Sequence, residues 1–303
     1  MQDMDILVKL LPTFALVGLG YFLKRQRIFD ADLGRTLLKF VFLVAAPALT
    51  LRSISQLHLD PSLLAIFLLP LVLTAASYLL VKPFEKKINL EPKQFAVFLM
   101  ATMAVNSGFT LPFVVSLTGD AGAARVALFN VLNGLMVFGW VYAIAISYGH
   151  RENLRKVDIL KAVLLTPAFV TLIIAFSMNL GGVSIPDWLN PTVNVLADLT
   201  APLILLALGL ILEPRLMFPK QTFQSLAIRM IGGLAIGALF VQLFSLTGVD
   251  RIAVLILSAS PVGFNTITFS SLEKLDDKFA ASVVSTGLIT GLVLISALTI
   301  FLG

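Results

Sequence analysis

The sequence contains no cysteine, which excludes disulfides and thiolate metal sites. Charge is scarce as well. Asp, Glu, Lys and Arg make up 13% of the 303 residues, about half of the roughly 25% carried by soluble domains. The two histidines, His58 and His150, fall in connections between apolar runs, and neither belongs to an H-E-x-x-H zinc pattern. No paired acids stand inside an apolar run as an intramembrane protease would need. Catalysis is therefore not expected, and no catalytic residue, metal site or resident cofactor is assigned. The segment 1–5 holds two acids and no basic run, so the apolar stretch from Ile6 reads as a first membrane span, not a cleavable signal peptide.

What the chain has in abundance is apolar sequence. Hydrophobic residues reach 58%, and the stretches 63–80 and 287–302 carry no charge. Runs of about 20 apolar residues with charges confined to short connections are membrane spans. The runs and their breaks predict helices at 6–23, 37–54, 63–82, 95–117, 126–147, 159–179, 193–212, 224–247, 251–272 and 279–302. The fold class expected is an all-α polytopic protein of ten transmembrane helices.

Basic residues orient these spans. Seventeen of the 22 lysines and arginines fall on one face, in the loops holding Lys24 to Lys39, Lys82 to Lys93, Arg151 to Lys161, Arg215 with Lys220, and Lys274 with Lys278. Lys9, Arg52, Arg125 and Arg251 fall on the other, and Arg229 lies within a span. Positive charge stays inside, so both termini are expected on the non-cytoplasmic face of an inner membrane. The net charge of +5 thus reflects membrane topology and not nucleic-acid binding.

A self-comparison at an offset of 155 residues reveals an internal repeat. Leu10-x-Pro12-x-Phe14 recurs as Leu165-x-Pro167-x-Phe169, and Ala46-Pro47 as Ala201-Pro202. Gly108-Phe109 recurs as Gly263-Phe264, and Ser116-Leu117 as Ser271-Leu272. Five spans per copy make the repeats, 1–150 and 151–303, inverted with respect to each other, a recurring transporter design.

Two spans are broken near their middles, by Asn106-Ser107-Gly108-Phe109-Thr110-Leu111-Pro112 and by Ser258-Ala259-Ser260-Pro261-Val262-Gly263-Phe264-Asn265-Thr266. Proline removes a backbone donor and glycine permits unwinding. Asn, Ser and Thr side chains can satisfy the backbone groups set free. Half-helix N-termini at such breaks present N–H groups and a positive dipole end to an anion. The candidate substrate-binding residues are Asn106, Ser107, Gly108, Thr110, Pro112, Ser260, Pro261, Gly263, Asn265 and Thr266. Neither segment contains an acid.

At these residues the chain resembles the auxin efflux carrier family, whose bacterial members are described as malate or malonate permeases. The resemblance rests on Asn106-Ser107-Gly108-Phe109 with Pro112, on Thr200-Ala201-Pro202-Leu203 with the run to Gly209, and on Ser260-Pro261 followed by Asn265. It implies crossing broken helices, an architecture shared with bile-acid symporters and sodium/proton antiporters. Spans one, two, six and seven would form a scaffold, which in the family often dimerises, and spans three to five and eight to ten a mobile transport domain. The long central loop of plant members is replaced here by residues 148–158, so regulation through it is not expected.

The expected function is secondary transport of a small organic anion (malate, malonate or an auxin-like acid) by alternating access, with H+ or Na+ as coupling ion. Partners would be that anion, the lipid bilayer and a second copy of the chain, but no nucleic acid. A sodium-coupled bile-acid-symporter-like carrier, a passive channel and a sensor on the same fold are the alternatives. Asp198, an acid inside the seventh span, either couples protons or pairs with Arg52 or Lys9. Asn130 and Asn133, at i and i+3 on one face of the fifth span, either complete the polar site or an ion site, or bond between helices. Arg229 is expected to snorkel to headgroups, with substrate contact as the alternative. Replacing Asn106 or Asn265 by Ala is expected to abolish uptake and leave folding intact.

Overall fold

A computed structural model describes residues 2–57, 60, 63–149, 165, 167–212 and 216–303, and the regular elements among them are helices. The central loop and the start of the expected sixth span fall largely outside these residues, as do Arg151 to Lys161 and both histidines.

Helix α1 is Gln2–Arg25 and α2 is Ala31–Ser55. Asp30 caps α2 by accepting from Leu33 N at 2.9 Å, offsetting one of its orphan donors. Helix α3 is Leu63–Ile88, closed by Asn89 in the left-handed region at φ 54°. Helix α4, Pro92–Met103, opens on a proline and on a capping box between Glu91 and Gln94. Helices α5 (107–118) and α6 (120–148) are separated only by Gly119, at φ 60° and ψ −145°, a backbone conformation that favours glycine. The connection expected at 118–125 is thus a single-residue kink. Helix α7 is Pro167–Leu180, α8 Asn190–Ile211, α9 Pro219–Leu243, α10 Gly248–Ser258, α11 Asn265–Leu272 and α12 Asp277–Leu302.

Six helical stretches among the described residues are long and apolar enough to cross a membrane: Ala31–Ser55, Leu63–Ile88, Ser107–Tyr148, Asn190–Ile211, Pro219–Leu243 and Asp277–Leu302. Helices α4 and α10, of 12 and 11 residues, are each too short for this, since a span needs about 20.

Close helix approach depends on glycine. A Cβ on Gly209 of α8 would lie 2.1 Å from Val17 O, and one on Gly20 of α1 would lie 2.3 Å from Leu206 O. Backbone therefore meets backbone where α1 crosses α8. Asn179 of α7 ties that helix to the end of α2. Its Nδ2 donates to the carbonyls of Ile54, Ser55 and Leu57 at 3.0, 3.1 and 2.8 Å, which a helix C-terminus leaves without intrahelical partners. Around this frame many large apolar side chains stay exposed, among them Leu11, Phe14 and Phe22 of α1 and Ile173 and Ile174 of α7. Lipid-facing surface has this character.

Candidate functional site

The two interrupted helices meet at their breaks. Residues 104–106 separate α4 from α5, and 259–264 separate α10 from α11. Val105 and Val262 form an antiparallel bridge, in which Asn106 N donates to Pro261 O at 3.1 Å and Gly263 N to Ala104 O at 3.0 Å. Buried backbone polar groups must be paired, and here each break supplies the other's partners.

Helices α4 and α10 end 155 residues apart, at Met103 and Ser258, whereas α5 and α11 start 158 apart, at Ser107 and Asn265. The second break is three residues longer. Gly108 consequently lies in the first turn of α5, while Gly263 lies in the extended segment, where a Cβ would sit 3.2 Å from Ala104 Cβ.

Asn106 is the clamp of the crossing. Its Oδ1 caps α5 by accepting from Phe109 N at 3.1 Å, and its Nδ2 donates to Val262 O at 3.2 Å. Its backbone N also donates to Ser260 Oγ at 2.9 Å. Pro112, inside α5, cannot donate to Gly108 O, so that carbonyl is left without its helical partner. Thr110 bonds back to Ser107 O at 3.1 Å, and the buried Thr266 Oγ1 has no partner among the described residues.

Beside the crossing lies a cavity of about 460 Å³. It brings together seven of the expected residues, Asn106, Ser107, Gly108, Asn130, Asn133, Gly263 and Asn265. Thr110, Pro112, Ser260, Pro261, Thr266 and Asp198 do not line it. Opposite the crossing its wall comes from Val41, Phe42, Ala46 and Thr50 of α2, Pro167 and Leu172 of α7, and Ile204 of α8. Both α5 and α11 begin at this space, so two positive helix ends face it. None of the lining side chains is charged. Ser107 Oγ donates to Asn130 Oδ1 at 2.5 Å, whereas Asn133, only 7% exposed, has an Oδ1 with no partner among the described residues.

Two π-helical turns shape the wall, Val41–Ala45 in α2 and Met136–Val141 in α6, through Val41, Phe42, Val137 and Phe138. Such turns offset the side-chain register and occur frequently at functional sites. Nothing in the residue types announces them.

Asp198 lies outside the cavity and is 70% exposed, with Oδ1 accepting from Arg52 Nη1 at 2.9 Å. Of its two readings, the geometry is that of pairing with Arg52; the Lys9 side chain falls outside the described residues. Arg229 corrects the expectation of snorkelling. It is fully buried, its Nη2 donating to Ser258 O at 2.7 Å and its Nε to Ser260 O at 3.3 Å. The space for it comes from Gly233, where a Cβ would lie 2.5 Å from Nη2. A small-residue face around an intramembrane arginine was the available signal. Glu273, placed by the sequence in a loop, closes α11 and is 1% exposed, accepting from Tyr142 Oη at 2.8 Å.

Apolar helices, an unwound crossing and an uncharged cavity at the meeting point of two helix groups define a polytopic membrane transport protein. The profile of the family described as "Membrane transport protein" matches residues 5–301, nearly the whole chain. The chain belongs to this family, the auxin efflux carriers. It is also similar to the uncharacterized transporter MJ1031 of Methanocaldococcus jannaschii, 27% identical over 298 residues covering 94% of each chain.

Proposed function

We propose that this protein is a secondary transporter of a small organic anion, a carboxylate such as malate, malonate or an auxin-like acid, bound beside the crossing. One observation carries the reading. The N-terminal ends of α5 and α11 open into a single cavity that holds four asparagine amides and no charged side chain. Helix ends and amides are donors sufficient for a carboxylate in a low-dielectric site.

The site's position supports alternating access of the elevator type. Helices α2, α7 and α8 form one wall and the crossing with α6 the other, so displacement of α3–α6 and α9–α12 along a scaffold of α1, α2, α7 and α8 would carry the site across the bilayer. In this proposal the chain makes ten spans in two inverted repeats, 1–150 and 151–303. Both termini face away from the cytoplasm, a proton or sodium ion is the coupling ion, and scaffold helices pair two copies.

Thermal unfolding of the purified protein, against mono- and dicarboxylates with and without sodium at two pH values, tests the reading. Ligands that bind the native state raise the melting temperature. One acid is expected to do so, and Asn265→Ala to remove the effect. Absence of a shift with every acid overturns the anion assignment.

A further inference from the structure

We infer that Arg229 is the residue that makes this site select an anion: by neutralising the negative end of α10 at the crossing, it leaves the positive helix ends in excess for a ligand to satisfy. The inference rests on the proposed anion site and assigns its specificity to a side chain outside the cavity wall.

Four half-helix ends meet at the crossing, two C-terminal from α4 and α10 and two N-terminal from α5 and α11. Each C-terminal end carries about half a negative charge and each N-terminal end about half a positive one. Left alone, the negative ends would offset part of the attraction that the positive ends exert on an anion. Arg229 breaks the balance. It reaches from the π-helical turn Ala227–Gly232 of α9 to the carbonyls of Ser258, the last residue of α10, and Ser260. No carboxylate lies within ion-pair distance of it among the described residues, and its Nη1 has no partner there. A whole charge is thus buried against partial ones, which is costly without a counter-charge.

Among the described residues, four acids are committed elsewhere. Asp120 and Asp198 are held by Arg52, Asp250 by Arg125 at 2.6 Å, and Glu273 stands at the far end of α11 with Tyr142. None lines the cavity. The link from Arg229 to the cavity is short: it bonds Ser260 O, Ser260 Oγ accepts from Asn106 N, and Asn106 lines the wall. A bound carboxylate supplies the missing negative charge, and a neutral molecule of the same shape does not. Arg229 acts through the crossing, as a positioning and specificity-determining residue.

The test melts wild type, Arg229→Gln and Arg229→Lys against acetate, malonate and indole-3-acetate, each beside its neutral amide. Wild type is expected to prefer one acid over its amide. Arg229→Gln should lose about tenfold of that preference, the order of effect of one full charge at an effective dielectric of about 20, while Arg229→Lys retains it. An unchanged acid-over-amide ratio in Arg229→Gln, including one accompanied by equal loss of ligand-free stability in both variants, overturns the inference and leaves the anion reading standing. A wild type that prefers no acid overturns both. Should Arg229→Gln fail to fold, Asn133→Asp decides. It supplies a carboxylate from the wall to the intact arginine, so stabilisation by acids should disappear; persistence of that stabilisation overturns the inference.

Discussion

Arg52 of α2 grips Asp120 at the start of α6, with Nη2 donating to Oδ1 at 2.9 Å and Nε 2.8 Å from Oδ2. The same guanidinium donates to Asp198 of α8, so one planar fork joins three helices. In the proposed mechanism α2 and α8 are stationary and α6 moves, which makes Arg52–Asp120 a brace between the two groups.

The arms of this cluster differ in exposure. Arg52 is 16% exposed, Asp120 44% and Asp198 70%. Asp198→Asn should change stability by less than about 0.5 kcal/mol, as for a solvated ion pair. Arg52→Ala, which leaves two acids facing each other, should cost about 1–2 kcal/mol. Thermal unfolding of the two variants side by side distinguishes them, and equal effects would contradict the geometry.

Asn106 and Asn133 both line the cavity, but only Asn106 is committed to the fold. Asn106→Ala should destabilise the protein by about 2–3 kcal/mol through loss of a cap and a buried bond. This revises the expectation that the substitution leaves folding intact. Asn133→Ala removes a side chain with no hydrogen bond to the fold among the described residues, so its unfolding temperature should hold, while ligand stabilisation falls with the loss of the Nδ2 donor.

Gly209→Ala forces a Cβ to within 2.1 Å of Val17 O. Rigid backbone on both sides leaves little room to yield, and a cost of about 3 kcal/mol or more is expected. Gly18→Ala is the control, since nothing lies within 4 Å of its Cβ position. Helix propensity alone should make Gly18→Ala neutral or slightly stabilising, by up to about 1 kcal/mol. Melting curves of the pair would show whether α1 and α8 meet as closely as described.

Asn179→Ala strips three donated hydrogen bonds from the end of α2. A loss of about 2–3 kcal/mol is expected, with faster amide exchange confined to 54–57. Asn179→Asp should fare no better, because a carboxylate cannot donate to carbonyls.

Membrane character, the two breaks and the family were legible in the residues themselves. Apolar runs, proline, glycine and small polar side chains act locally on the backbone, so 106–112 and 258–266 could be marked without knowing what they touch. The gathering of Asn106, Asn130, Asn133 and Asn265 on one cavity followed the same signals, because amides are rare in such a composition and had to face protein. Register did not follow. The constant offset of 155 tracks the ends of α4 and α10 but misses the three extra residues before α11, since an extended segment has no fixed length in sequence.

Sequence by itself therefore determined that this chain forms membrane helices interrupted at two defined points, because hydropathy and backbone chemistry are properties of residues. Tertiary structure alone decided which polar groups remain for a ligand. Asn106 lines the cavity and also clamps the crossing, whereas Arg229 looked like a lipid contact and is buried behind it. Hydrogen-bond partners and burial are properties of distant residues brought together. In a membrane interior without water, that pairing fixes what each side chain can still do.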